Sequence, residues 1–147
     1  MKPSKLREIS ETCTCFNLRK TTRAVTALFD EALNPIGLRA TQLTLLAILS
    51  RTDNWTVTRL SQTLVMDRTT LTRNLKPMQE QGWVLIRKGE DRRTRTLALS
   101  SKGRRLLEKA VPLWDKAQKE VMQRLGNVRW SSLMHHLKVT SSLMSPY

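Results

Sequence analysis

Acidic residues are scarce in this chain. Twelve Asp and Glu stand against 26 Lys and Arg, leaving a formal charge of +14 over 147 residues. No paired-carboxylate arrangement, Ser-His-Asp spacing or phosphate-binding glycine loop stands out, so the usual signatures of an enzyme are missing. The two cysteines, Cys13 and Cys15, are separated by one residue and cannot build a disulfide framework. His135 and His136 are adjacent, so one helix cannot aim both at a single metal, and neither a metal nor a cofactor is expected. No apolar run approaches the ~18 residues of a membrane span. The stretch Met1 to Glu8 lacks the apolar core of a signal peptide, which predicts a cytoplasmic chain with no membrane partner.

The length and a hydrophobic share of 39% suit one domain, residues 1–147, with a real core. The charge is clustered. Residues 54–105 hold 12 basic and 4 acidic side chains, a net +8, while the flanks on either side hold +3 each. Clustered positive charge points to a phosphate-bearing partner. An anionic membrane surface fits less well, because no helix is both Lys-rich on one face and bulky-apolar on the other.

Helical periodicity dominates. Apolar residues from Cys15 to Ile36 recur at Leu18, Val25, Leu28, Phe29, Ala32, Leu33 and Ile36, and Asn34-Pro35 with Gly37 ends that helix. Thr41 to Leu49 is a short, nearly all-apolar helix expected at the centre of the core. Thr56 is the expected N-cap of the next helix and Asp67 that of the one after it, which Gln81-Gly82 terminates. Leu71, Leu75 and Met78 form the inward stripe of that second helix, with Pro77 loosening its last turn. A hairpin follows, with Trp83, Val84 and Ile86 on one strand and Thr94, Thr96, Leu97 and Leu99 on the other. Ser100 then caps a long helix to about Leu125. Its stripe is Leu107, Ala110, Trp114, Ala117, Val121 and Leu125, and Pro112 is expected to kink it. Gly126-Asn127 breaks the chain before a last helix carrying Trp130, Leu133, Leu137 and Met144.

The sequence therefore predicts a mainly α chain: a winged helix-turn-helix at 54–100 with a two-stranded β-wing, plus N- and C-terminal helices. Such a motif places its second helix in the DNA major groove, while a basic hairpin reaches the neighbouring minor groove. Arg68, Thr69, Thr70, Thr72, Arg73 and Lys76 lie on or near the outward faces of that helix, with Arg73 the best placed for a bidentate guanine contact. The wing offers Arg92, Arg93 and Arg95. Arginine suits a narrow minor groove because its planar, weakly hydrated cation tolerates a confined negative space. The helices at 11–37 and 101–145 are not needed by a winged helix. Their apolar stripes suit interdigitation with a second copy, which would place two reading heads on a pseudo-palindromic duplex. Two readings remain: a sequence-specific regulator, and an architectural protein that coats DNA through charge alone.

The order helix, helix, helix-turn-helix, basic wing and two long helices resembles the MarR family of bacterial transcriptional regulators. The residues that carry the likeness are Gln42, Leu43 and Leu46; Leu60 and Leu64; Thr70, Leu71 and Arg73; Leu75 through Gly82; and Asp91-Arg92-Arg93 with Leu97, Leu99, Lys102 and Gly103. The resemblance spans about Thr12 to Met144. It implies a homodimer, interlocked through its outer helices, that represses transcription and is released by a small-molecule effector or by oxidation. It also implies that Arg93 enters the minor groove with Asp91 orienting its guanidinium, while Arg92 and Arg95 meet phosphates.

Cys13 and Cys15 stand at the start of the first helix, with Arg19 one turn beyond Cys15. Cys15-Phe16 is similar to the reactive Cys-Phe of the family's organic-hydroperoxide sensors. Those sensors hold the thiolate with tyrosines from the partner, whereas the single tyrosine of this chain is Tyr147. Two residues apart on a helix, Cys13 and Cys15 point to nearly opposite sides and do not readily bridge. Redox sensing and a plain role as small apolar side chains both stay open for them.

Overall fold

The computed structural model describes residues 3–88 and 95–146. Its elements run α1 (Pro3–Thr12), α2 (Thr14–Leu33), a single 3₁₀ turn (Asn34–Ile36), α3 (Ala40–Leu49), β1 (Trp55–Thr56), α4 (Val57–Thr63), α5 (Arg68–Glu80), β2 (Val84–Lys88), β3 (Arg95–Leu99), α6 (Ser101–Leu125) and α7 (Asn127–Met144). This is the mainly helical winged helix-turn-helix that the sequence predicts, with the N- and C-terminal helices packed together.

The three expected caps form. Thr56 accepts from the Arg59 N–H at 3.1 Å, Asp67 from the Thr70 N–H at 2.8 Å, and Ser100 from the Gly103 N–H at 2.9 Å. Each satisfies one of the donors that a helix start leaves unpaired. Asp30 of α2 does the same across a longer span, accepting from the Ala40 N–H at 2.7 Å and so fixing where α3 begins. Leu46, Leu49, Leu60, Leu71, Met78 and Leu97 are fully buried and join α3, the helix pair and the wing base into one core. The inward stripe Leu71, Leu75 and Met78 is buried as expected, and α5 and α6 continue through Pro77 and Pro112.

Three features depart from the sequence reading. First, α1 precedes the helix expected from Cys15. It is mostly polar, its Leu6 and Ile9 are exposed, and it is laced by Lys5–Glu8 and Arg7–Glu11 pairs, each at 2.8 Å. Cys13, with ψ 114°, separates it from α2. Second, the sheet gains the two-residue strand β1, giving the order β1-β3-β2, all antiparallel. Third, Trp114, expected on the inward stripe of α6, is 40% exposed. The face of α6 that the chain itself buries carries the small side chains Gly103, Ala110 and Ala117.

The outer helices are incompletely covered. Leu33 is the only buried residue of α2, and α7 has none over its 18 residues. Among the described residues, every large exposed apolar side chain except Val65, Leu85 and Ile86 lies on α1, α2, α6 or α7. A cleft of about 790 Å³ opens between α2, α6 and α7, lined by Leu18, Val25, Phe29, Val121, Trp130 and Leu133 among others. No single helix among the described residues is long and apolar enough to cross a membrane.

Candidate nucleic-acid interface

The local sequence dictates the reading face. Burying Leu71, Leu75 and Met78 fixes the rotation of α5, since positions three and four apart share a face. Arg68, Thr69, Thr72, Arg73 and Lys76 are thereby left exposed on the opposite side. All five, together with Arg95 of β3, line one open groove of about 790 Å³ between α5 and the wing. Thr70 is placed apart from them. It is half-buried, and its N–H is held by Asp67 rather than offered to a ligand. The Thr70 hydroxyl, and then its N–H, hold the Asp67 carboxyl below the usual carboxylate range, which keeps the cap ionised at the start of α5.

Asp91, Arg92 and Arg93 lie outside the described residues. Arg95 is the first described residue of the second wing strand. It opens β3, pairs with Lys88 across the hairpin, and is exposed.

The groove is also lined by the apolar Val57, Leu75, Ile86 and Leu97, and by Gln79. Strand alternation predicts that Ile86 packs inward like Val84. Instead Val84 is buried opposite Leu99, whereas Ile86, opposite Leu97, is 45% exposed over the groove. Alternation puts both on one face of the sheet, and there Leu97 of the central strand is fully buried while Ile86, on the edge strand β2, is left open. Which strand lies at the edge is a matter of sheet order, which the strand pattern does not encode.

The base of the wing is tied to the long helix. Ser100 Oγ donates to the Gly82 carbonyl at 2.7 Å, Lys102 Nζ to the Gln81 carbonyl at 2.8 Å, and Ser100 N–H to the Trp83 carbonyl at 3.0 Å. The carbonyls of Gln81, Gly82 and Trp83, in the turn that follows α5, are thus taken up by the start of α6. Arg104 adds an ion pair to Asp53 at 3.0 Å, in the turn before β1.

The cysteines lie away from this groove. Cys13 is half-buried at the break between α1 and α2, and Cys15 is exposed in the first turn of α2. Among the described residues, no three His, Cys, Asp or Glu side chains cluster as a metal site. His135 and His136 meet edge to face, with ring centroids 5.4 Å apart.

The MarR family model matches residues 36–94, which run from the end of the 3₁₀ turn into the wing. The chain is 31% identical over 100 residues to the organic hydroperoxide resistance transcriptional regulator of Bacillus subtilis, covering 67% of this chain and 68% of that protein. It is 27% identical over 105 residues to the HTH-type transcriptional regulator YwoH of the same organism, covering 71% and 77%. Among solved structures, the M. tuberculosis transcriptional regulator MosR in complex with DNA superimposes with a TM-score of 0.82 at 36% identity, covering 89% of this chain and 95% of that one.

Proposed function

The chain belongs to the MarR family of DNA-binding winged helix-turn-helix transcriptional regulators, and from that premise we propose that it is a homodimeric repressor of a pseudo-palindromic operator. The observation that carries this reading is the convergence of Arg68, Thr69, Thr72, Arg73, Lys76 and Arg95 on one groove beside a recognition helix. Thr69, Thr72 and Arg73 offer donors and acceptors for base edges, whereas Arg68, Lys76 and Arg95 hold the duplex by its phosphates. Arg93, oriented by Asp91, enters the minor groove next to the site read by α5, and Arg92 meets phosphate.

The uncovered helices support a second copy. A helix of 18 residues with none buried gains little from the rest of its own chain, and the apolar cleft beside it faces solvent. A partner's equivalent helices cover both surfaces in an isologous, two-fold contact. Two-fold symmetry then presents two copies of α5 to successive half-sites.

Release from DNA follows one of two routes: a small ligand between the outer helices, or oxidation of a thiol. The exposure of Cys15 and the likeness to a hydroperoxide resistance regulator favour the thiol. The test is DNA affinity after hydroperoxide treatment. A fall in the native protein that is absent in Cys15→Ser supports the thiol route, and equal retention in both leaves the ligand route.

The regulator reading is tested against an architectural DNA-coating protein by competition at physiological salt between a duplex selected from a random pool and the unselected pool. A sequence reader prefers the selected duplex by ~10³-fold or more. Equal binding of the two assigns the coating role.

A further inference from the structure

Arg59 is outside the face read from the sequence, yet the structure holds it in a fixed pose. Its guanidinium carbon stands 4.6 Å from the centroid of the Trp55 ring. That ring is itself anchored: Trp55 is 4% exposed, and its indole N–H donates to the Ile48 carbonyl at 3.0 Å. Arg59 is nevertheless exposed, and no carboxylate of the described residues lies within ion-pair distance of it. The cation is thus stacked on one side and open on the other.

Its neighbours place it at the border of the groove. Val57, in the same turn of α4, lines the groove, and Thr56 pairs with Thr96, the residue after the groove-lining Arg95. The first helix of a helix-turn-helix crosses the nucleic-acid backbone while the second enters the major groove. A planar guanidinium held against an aromatic face keeps its edge donors free, and phosphate recognition uses that edge. Less rotamer freedom is then lost when the contact forms.

We propose that Arg59, pre-positioned on Trp55, is a phosphate clamp that grips the DNA backbone beside the half-site read by α5. The proposal rests on the reading that the α5 groove faces DNA. A phosphate contact contributes affinity without regard to sequence and adds about 0.9 to the steepness of the log-log salt dependence. At about 0.15 M salt the same relation gives ~5-fold in affinity per clamp, or ~30-fold for two.

The experiment compares native protein, Arg59→Gln, Arg59→Lys and Arg73→Ala on a mixed-sequence 30-base-pair duplex and on a duplex selected by the native protein, across a salt series. Thermal unfolding of each variant is measured in parallel. Arg59→Gln should bind both duplexes more weakly by the same factor, with a slope shallower by about 0.9 per clamp, and Arg59→Lys should regain most of that slope. Unchanged affinity and slope in a folded Arg59→Gln, with Arg73→Ala still impaired, overturns the clamp and leaves the α5 reading intact. No loss in either variant rejects both. A loss confined to the selected duplex makes Arg59 a base reader and also overturns the proposal. Should Arg59→Gln fail to fold, Arg59→Ala replaces it: a slope shallower by about 0.9 per clamp on both duplexes supports the clamp, and native affinity and slope overturn it.

Discussion

Gly103, in the first turn of α6, presses its Cα face against the carbonyl of Trp83: a Cβ at Gly103 would stand 2.3 Å from that oxygen and 2.8 Å from Leu99 Cδ1. The nearer atom belongs to the backbone, and the Trp83 carbonyl is also the acceptor for Ser100 N–H at 3.0 Å. Neither partner can move without opening the junction between the recognition helix, the wing and α6. Gly103→Ala should therefore destabilise the fold by roughly 1–3 kcal/mol, the usual cost of overpacking a tight site. Urea unfolding measures it. A variant as stable as the native protein would show that the junction is looser than described.

Much of the fold is legible in the sequence because its signals are local. Thr56, Asp67 and Ser100 cap helices three residues ahead of the donors they satisfy, so their roles can be read within a single turn. The exposed face of α5 is equally legible, since Leu71, Leu75 and Met78 set its rotation. Long-range geometry is not. The demand for glycine at Gly103 comes from Trp83, and β1 is a strand only because β3 lies beside it. Ile86 shares a face with the buried Val84 yet is left open on the edge strand β2, and alternation does not show strand order. The stack of Arg59 on Trp55 joins positions i and i+4, but that spacing marks neighbours only within a helix, and Trp55 lies in β1.

Val65 lies in the turn between α4 and α5 with φ 49°, a left-handed conformation that branching at Cβ disfavours. Its side chain is 45% exposed, so little packing repays the strain. Val65→Gly should stabilise the chain by about 0.5–1 kcal/mol, after the extra backbone entropy of glycine is offset against the relieved strain. Chemical denaturation of the two proteins checks this, and a less stable Val65→Gly would mean that contacts of the side chain outweigh the strain.

Asp67 provides the pH dependence. Its folded pKa is depressed, first by the Thr70 hydroxyl and then by the Thr70 N–H. Its stabilising effect is therefore present above the unfolded carboxylate pKa and is lost as the pH falls through the lower, folded value. The stability difference between native protein and Asp67→Asn, which keeps a capping oxygen but no charge, should be largest near neutral pH and shrink in acid. A difference that is flat or grows on acidification would remove the carboxylate from the account of how α5 begins.

The salt dependence of DNA binding tests the central claim most directly, because it counts phosphate contacts whatever bases the operator contains. If two subunits each neutralise on the order of 4–5 phosphates through the face formed by α5, the wing and α4, the log-log slope on a selected duplex should lie at about −7 to −9. A slope shallower than about −3 would contradict a dimer that grips DNA through this groove.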